Sequence, residues 1–229
     1  MERSQILKRI LVTGASGQLG LSLQDIAPQY SDEAEKSSEM AFKVNAEAVR
    51  YLAEACTIQN TTLIHISTDF VFDGAKTTPY TEEDLPNPIN VYGKSKWEGE
   101  KYIQEILDRY FIVRTSWLYH KTHGHNFYKT ILEKARKGEE LRITDDQIGC
   151  PTDAINLAKY LMHFIANNDQ QYGIYHYTDG EAMSWYHFAE NILEENGLKN
   201  TTKIVKENNY RSFAKRPKFS ALLTKNRFF

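Results

Sequence analysis

The chain has 229 residues, a formal charge of −2 and 41% hydrophobic residues, which suits one domain with a small appended lobe and argues against a protein that lives on nucleic acid or an anionic membrane. No apolar run approaches the roughly 18 residues of a spanning helix, so no membrane is expected, and Met1–Gln5 leads toward the first strand without a signal peptide. Cys56 and Cys150 are the only cysteines, giving neither a disulfide framework nor a metal knuckle, so the expectation is a soluble protein of the reducing cytoplasm.

The apolar run Ile10-Leu11-Val12 reads as a strand ending in Thr13-Gly14-Ala15-Ser16-Gly17-Gln18-Leu19-Gly20, a glycine turn that re-enters as a helix. Gly14, Gly17 and Gly20 allow a tight turn, close ligand approach and close helix packing. The new helix N-terminus offers unpaired N–H groups to a pyrophosphate. Gly14, Ser16, Gly17, Gln18 and Leu19 are therefore candidate dinucleotide contacts, the competing reading being a strand-to-helix loop without a ligand. The spacing resembles that of short-chain dehydrogenase/reductase proteins.

Helical periodicity follows over Gln18–Ala27, then over about 34–58 with Met40, Val44, Ala48, Leu52 and Ala55 on one stripe. A Rossmann-type half needs a second strand and a crossover between these helices, yet the chain passes almost directly from one to the next at Tyr30–Ser31. Either a strand–helix–strand segment is omitted at that junction or the protein is an unusual deletion. Thr62–Ser67 reads as a buried strand, 73–88 as an irregular loop, about 91–109 as a helix and Tyr110–Arg114 as a strand. Helices near 126–136, 156–166 and 185–196 then alternate with strands near Leu141 and Ile174. This is an α/β pattern, a Rossmann-type doubly wound parallel sheet over 1–116 with a small C-terminal substrate-binding lobe over 117–229, interleaved with it.

Tyr92 and Lys96 in Tyr92-Gly93-Lys94-Ser95-Lys96 lie one helical turn apart. A free phenol titrates near 10, and a neighbouring ammonium lowers that value toward useful acid–base chemistry. Lys96 also has donors for a nicotinamide ribose. Ser67 and Thr68 end the strand over Thr62–Ser67, at the edge where open α/β sheets bind ligands, and a hydroxyl there can polarise a carbonyl oxygen. Thr68 and Asp69 can equally cap the following loop. His120, His123 and His125 lack a cysteine or paired carboxylate nearby, so no metal site is read there.

Five segments carry a closer resemblance: His65-Ile66-Ser67-Thr68-Asp69-Phe70-Val71-Phe72-Asp73-Gly74, Asn90–Lys96, Val113-Arg114-Thr115-Ser116-Trp117-Leu118-Tyr119, Asp145–Thr152 and Lys215–Ser220. With Asp32–Glu35 they resemble, in order, the dTDP-4-dehydrorhamnose reductase family. The resemblance implies an NADPH- or NADH-dependent oxidoreductase that reduces the 4-keto group of a dTDP-sugar to give dTDP-L-rhamnose. In it Tyr92 donates the proton, Lys96 holds the ribose and lowers the Tyr92 pKa, and Thr68 orients the ketone. It further implies substrate contacts from Asp69, Trp117, Asn126, Gln147 and Arg216. Trp117 also reads as a core aromatic, and Arg216 as a surface residue before Pro217. Phe70 and His125 depart from the family's usual Tyr and Asn. Terminal helices expected beyond Phe229 carry a dimer contact and a magnesium site in some members, so a homodimer and Mg2+ rest on the resemblance alone. NADPH and NADH both stay open, because the residue reading the ribose 2′ position belongs to the second strand, which is lacking here. Competing readings are a non-catalytic dinucleotide-binding regulatory subunit, resembling that of methionine adenosyltransferase, and an epimerase or dehydratase.

Overall fold

A computed structural model describes residues 27–166, 171–207 and 212–225. The glycine turn, with Gly14, Ser16, Gly17, Gln18 and Leu19, and all but the last residue of the helix expected over Gln18–Ala27 lie outside the described residues.

Helix α1 (Ala27–Lys36) runs straight through the Tyr30–Ser31 junction, with Pro28 in the first turn, where its missing N–H costs nothing. The single helix expected over 34–58 is instead broken into α1, α2 (Ser38–Phe42), a π-helical turn (Lys43–Glu47) and α3 (Ala48–Ile58). The π turn lies where a neighbouring helix, α4 (Val91–Ile106), comes closest. A Cβ on Gly99 of α4 would stand 2.2 Å from the Asn45 carbonyl oxygen, so only glycine allows this approach. Asn45 Nδ2 also donates to Ser95 Oγ at 3.0 Å, stitching the two elements together.

The main described sheet is parallel in the order β1 (Leu63–Thr68), β2 (Tyr110–Thr115), β7 (Gly173–His176). Alternation along β1 and β2 sends side chains to both faces, as a sheet covered on each side requires. On one face Leu63 and Ile112 pack with Val49 and Ala53 of α3 and Ile103 of α4. On the other, Phe111 and Val113 pack against Leu157, Tyr160, Leu161 and Phe164 of α6 (Ala154–Ala166). Helix α4 ends at Ile106 rather than near Arg109, because Leu107 turns extended and is buried as the chain enters β2.

The chain beyond Thr115 adds two-residue strands β3 (Leu118–Tyr119), β5 (Ile148–Gly149), β6 (Thr152–Asp153) and β8 (Met183–Ser184), and three-residue strands β4 (Leu141–Ile143) and β9 (Ile204–Lys206). They pair as β3–β6, β4–β9 and β5–β8. Helices α5 (Phe127–Arg136) and α7 (Trp185–Glu195) enclose a second core with Leu141, Phe188 and Ile192. Segment 212–225 then crosses back. Phe219 bridges Ile148, Leu222 bridges Tyr80, and Asn90 Nδ2 donates to the Lys215 carbonyl at 2.9 Å.

Candidate active site

Strand β1 delivers Ser67, Thr68 and Asp69 to its C-terminal end, all buried. Thr68 Oγ1 accepts from the Phe70 N–H at 3.1 Å and donates to Asp69 Oδ1 at 3.1 Å, holding a short 3₁₀ turn over Asp69–Val71. Ser220 Oγ donates to Asp69 Oδ2 at 2.5 Å. Burial pushes the Asp69 carboxyl up to about 7, against the hydrogen bonds from Ser220, Thr68 and the backbone.

Helix α4 begins directly above this turn. Asn90 caps it, accepting from the Gly93 N–H at 2.7 Å, and Glu35 Oε1 accepts from the Val91 N–H at 2.7 Å. A Cβ on Gly93 would stand 2.0 Å from the Phe70 carbonyl oxygen, so glycine is what lets the first turn of α4 sit against the end of β1. Tyr92 is thereby set edge-on to the Phe70 ring, with centroids 6.0 Å apart. One turn on, Lys96 Nζ donates to the Ile66 carbonyl at 2.7 Å and lies 3.2 Å from His65 Nε2. Burial holds the Lys96 ammonium down at about 8, while Glu100 pulls it upward.

A further turn along, Glu100 is fully buried with Arg114 of β2. The guanidinium makes three N–H···O contacts with the carboxylate, at 2.6, 3.1 and 3.2 Å. Arg114 also packs over Phe72 and lies beside His176, whose imidazole burial and the guanidinium push down to about 3. Tyr92, Lys96 and Glu100, spaced four apart, thus form one polar stripe of α4 against the sheet.

The other expected contacts are placed less uniformly. Trp117 is buried with φ +45°, its ring stacked on Trp185 at 3.6 Å, and a Cβ on Gly149 would lie 2.4 Å from the indole. It belongs to the second core, and the left-handed conformation of so bulky a residue is costly. Asn126 is buried as the cap of α5, accepting from the Lys129 N–H and donating to the His120 and His123 carbonyls. Gln147 is half-buried just before β5. Arg216 is not a free surface residue: its side chain is 9% exposed and lies 3.9 Å from Asp32. The Lys215 contact to Asn90 brings it to the N-terminal end of α4, the end that carries Tyr92.

Whether a nicotinamide cofactor fits is tested by Ser67. Its hydroxyl is buried and has no hydrogen-bond partner among the described residues, as expected of a group meant for a ligand. It lies on the strand end beside the Lys96 anchor, so these residues fit such a group. No cluster of three or more His, Cys, Asp or Glu able to hold a metal occurs among the described residues, and no helix among them is long and apolar enough to cross a membrane.

The family model for the RmlD substrate binding domain matches residues 26–227. The dTDP-4-dehydrorhamnose reductase of Aggregatibacter actinomycetemcomitans is 35% identical over 271 residues, covering 96% of this chain and 92% of its own. The chain belongs to the dTDP-4-dehydrorhamnose reductase family. The match to the Aggregatibacter protein is longer than this chain, so that relative carries residues without a counterpart here. A spore coat polysaccharide biosynthesis protein of Bacillus subtilis is 34% identical over 256 residues, 94% of this chain and 89% of its own. The crystal structure of the Bacillus anthracis reductase in complex with NADP is similar with a TM-score of 0.80 and 36% identity, over 86% of this chain and 69% of that one. This reductase fold, a Rossmann-type α/β sheet, is the one expected from the alternating pattern.

Sequence reasoning assigned no role to His65, Glu100, Arg114 or Ser220. Glu100 had a signal, since it continues the Tyr92–Lys96 spacing by one more turn. Its partner Arg114 had none, because the pairing depends on how α4 docks across β2.

Proposed function

We propose that this chain catalyses the NADPH-dependent reduction of the 4-keto group of dTDP-4-dehydro-L-rhamnose to give dTDP-L-rhamnose. One observation carries the reading: Thr68 ends β1 directly beneath the first turn of α4, which presents Tyr92 and Lys96 on one face. Membership of the reductase family supports the substrate, and the NADP bound in the Bacillus anthracis structure supports the cofactor.

When bound, the reduced nicotinamide supplies the hydride. Tyr92 gives its phenolic proton to the ketone oxygen, and the Lys96 ammonium stabilises the phenolate left behind. The Thr68 hydroxyl, whose proton points to Asp69 here, turns that proton to the same oxygen and orients it. Ser67 and Lys96 are the described residues that would hold the cofactor, joined by the glycine turn of Gly14 and Gly17. Arg216 would meet the diphosphate with its planar fork, and Trp117, Asn126 and Gln147 would border the sugar pocket. We also infer that the extra length of the Aggregatibacter relative falls at the Tyr30 junction, where a strand–helix–strand unit is lacking.

The test is absorbance loss of NADPH, then NADH, with dTDP-4-dehydro-L-rhamnose. Steady substrate-dependent oxidation, faster with NADPH, is expected. Cofactor binding without turnover would overturn the reading in favour of a non-catalytic subunit.

A further inference from the structure

Lys96 is held from the sheet side as well as carried by α4. An ammonium has three N–H donors and no acceptor. One donor goes to the Ile66 carbonyl at 2.7 Å and a second meets His65 Nε2 at 3.2 Å. Facing a group that only donates, Nε2 presents its lone pair, so the ring proton sits on Nδ1. Burial, and the neighbouring Lys96 charge, hold the His65 imidazole well below its ordinary value, which keeps it a neutral acceptor. Among the described residues His65 of β1 meets Lys96 directly and Glu100 of α4 acts on it through its charge, with Tyr92 one turn back along the same helix. The Glu100 oxygens are engaged by Arg114.

We propose that His65 is a positioning residue for Lys96. Its acceptor nitrogen holds the ammonium against β1, favours the protonated form and fixes where the remaining donor points. The inference rests on the proton-transfer role of Tyr92 and Lys96 given above. A purely packing role for His65 would need only a ring of that size, whereas this role needs an acceptor at the reach of Nε2. Glutamine places its side-chain oxygen at that reach; asparagine matches Nδ1 and falls short.

The experiment compares the full chain with His65→Gln and His65→Asn. Competitive acetylation of Lys96 from about pH 6 to 11, read by mass spectrometry, gives the proton affinity of the amine directly. His65→Asn should weaken that affinity about tenfold, with His65→Gln within about twofold of the parent. In the reductase assay His65→Asn should lower kcat about tenfold with KM for the sugar unchanged, and His65→Gln should restore it. If Asn and Gln variants titrate alike, whether like the parent or shifted together, the proposal fails. If His65→Asn does not fold, His65→Leu supplies the acceptor-free variant with the same expectation. Acetylation needs no turnover. An Asn-specific shift in a chain without reductase activity would therefore sink the proposed reaction and leave the Lys96 anchor standing.

Discussion

Removing one member of the Arg114–Glu100 pair tests how the polar stripe of α4 is held. Glu100→Leu leaves a guanidinium with a side chain only 2% exposed and three N–H···O contacts unmade. His176 cannot compensate, being held neutral beside a cation, and the Phe72 ring face returns only part of the lost interaction. A buried charge stripped of its partner costs about 3–5 kcal/mol. With a urea slope of about 3 kcal/mol per molar, the unfolding midpoint should fall by roughly 1–1.7 M. Arg114→Met should cost a similar amount, now by orphaning the carboxylate. The double variant Glu100→Leu/Arg114→Met should recover most of the loss, because two apolar side chains of similar volume leave no charge behind. Urea denaturation of the four proteins closes a double-mutant cycle. Single losses below about 1 kcal/mol, or strictly additive ones, would show that the pair is not a desolvated unit and would refute the argument.

Tyr92→Phe should reduce turnover by about 10²–10⁴ while NADPH affinity, read by fluorescence titration, changes little; equal loss of both would remove the proton-donor role. Gly93→Ala forces a Cβ to 2.0 Å from a backbone oxygen, so α4 must shift and activity should fall at least about tenfold, with about 1–3 kcal/mol lost in thermal unfolding. Asp69, folded near 7 against an ordinary value of 3.8, binds its proton more tightly in the folded state. Its contribution is therefore fully present below about pH 4 and is lost as pH rises toward 7, by up to about 1.4 kcal/mol per pH step. Asp69→Asn should flatten that slope in urea midpoints measured from about pH 4 to 7, and an unchanged slope would show that Asp69 is not the group responsible.

Much of the site's scaffold was legible because it is local. The strand before Thr68, the helix start near Val91 and the four-residue spacing of Tyr92 and Lys96 each depend on residues close in sequence. What escaped depends on docking. The π turn over Lys43–Glu47 sits where Gly99 approaches Asn45, some fifty residues away, which periodicity alone does not register. Trp117 carries a sugar contact by family resemblance and a core role by its aromatic character, and its partners Trp185 and Gly149 are set by how the small strands stack, which no local pattern registers. The structural part of Asn126 was equally hidden: both ends of its amide serve α5 and the preceding loop.

Segment 212–225 has a consequence for the order in which the molecule is made. Ser220 meets Asp69 across 151 positions, Lys215 meets Asn90 across 125, and Leu222 pairs with Tyr80. Such distant contacts repay chain-closure entropy only late in folding. During synthesis the end of β1 therefore lacks its wall until residue 220 has left the ribosome. Until then the Asp69 carboxyl is open to water and the cap of α4 is half made. Catalytic competence should arrive as a single late event, with slow docking of this strap as its last step.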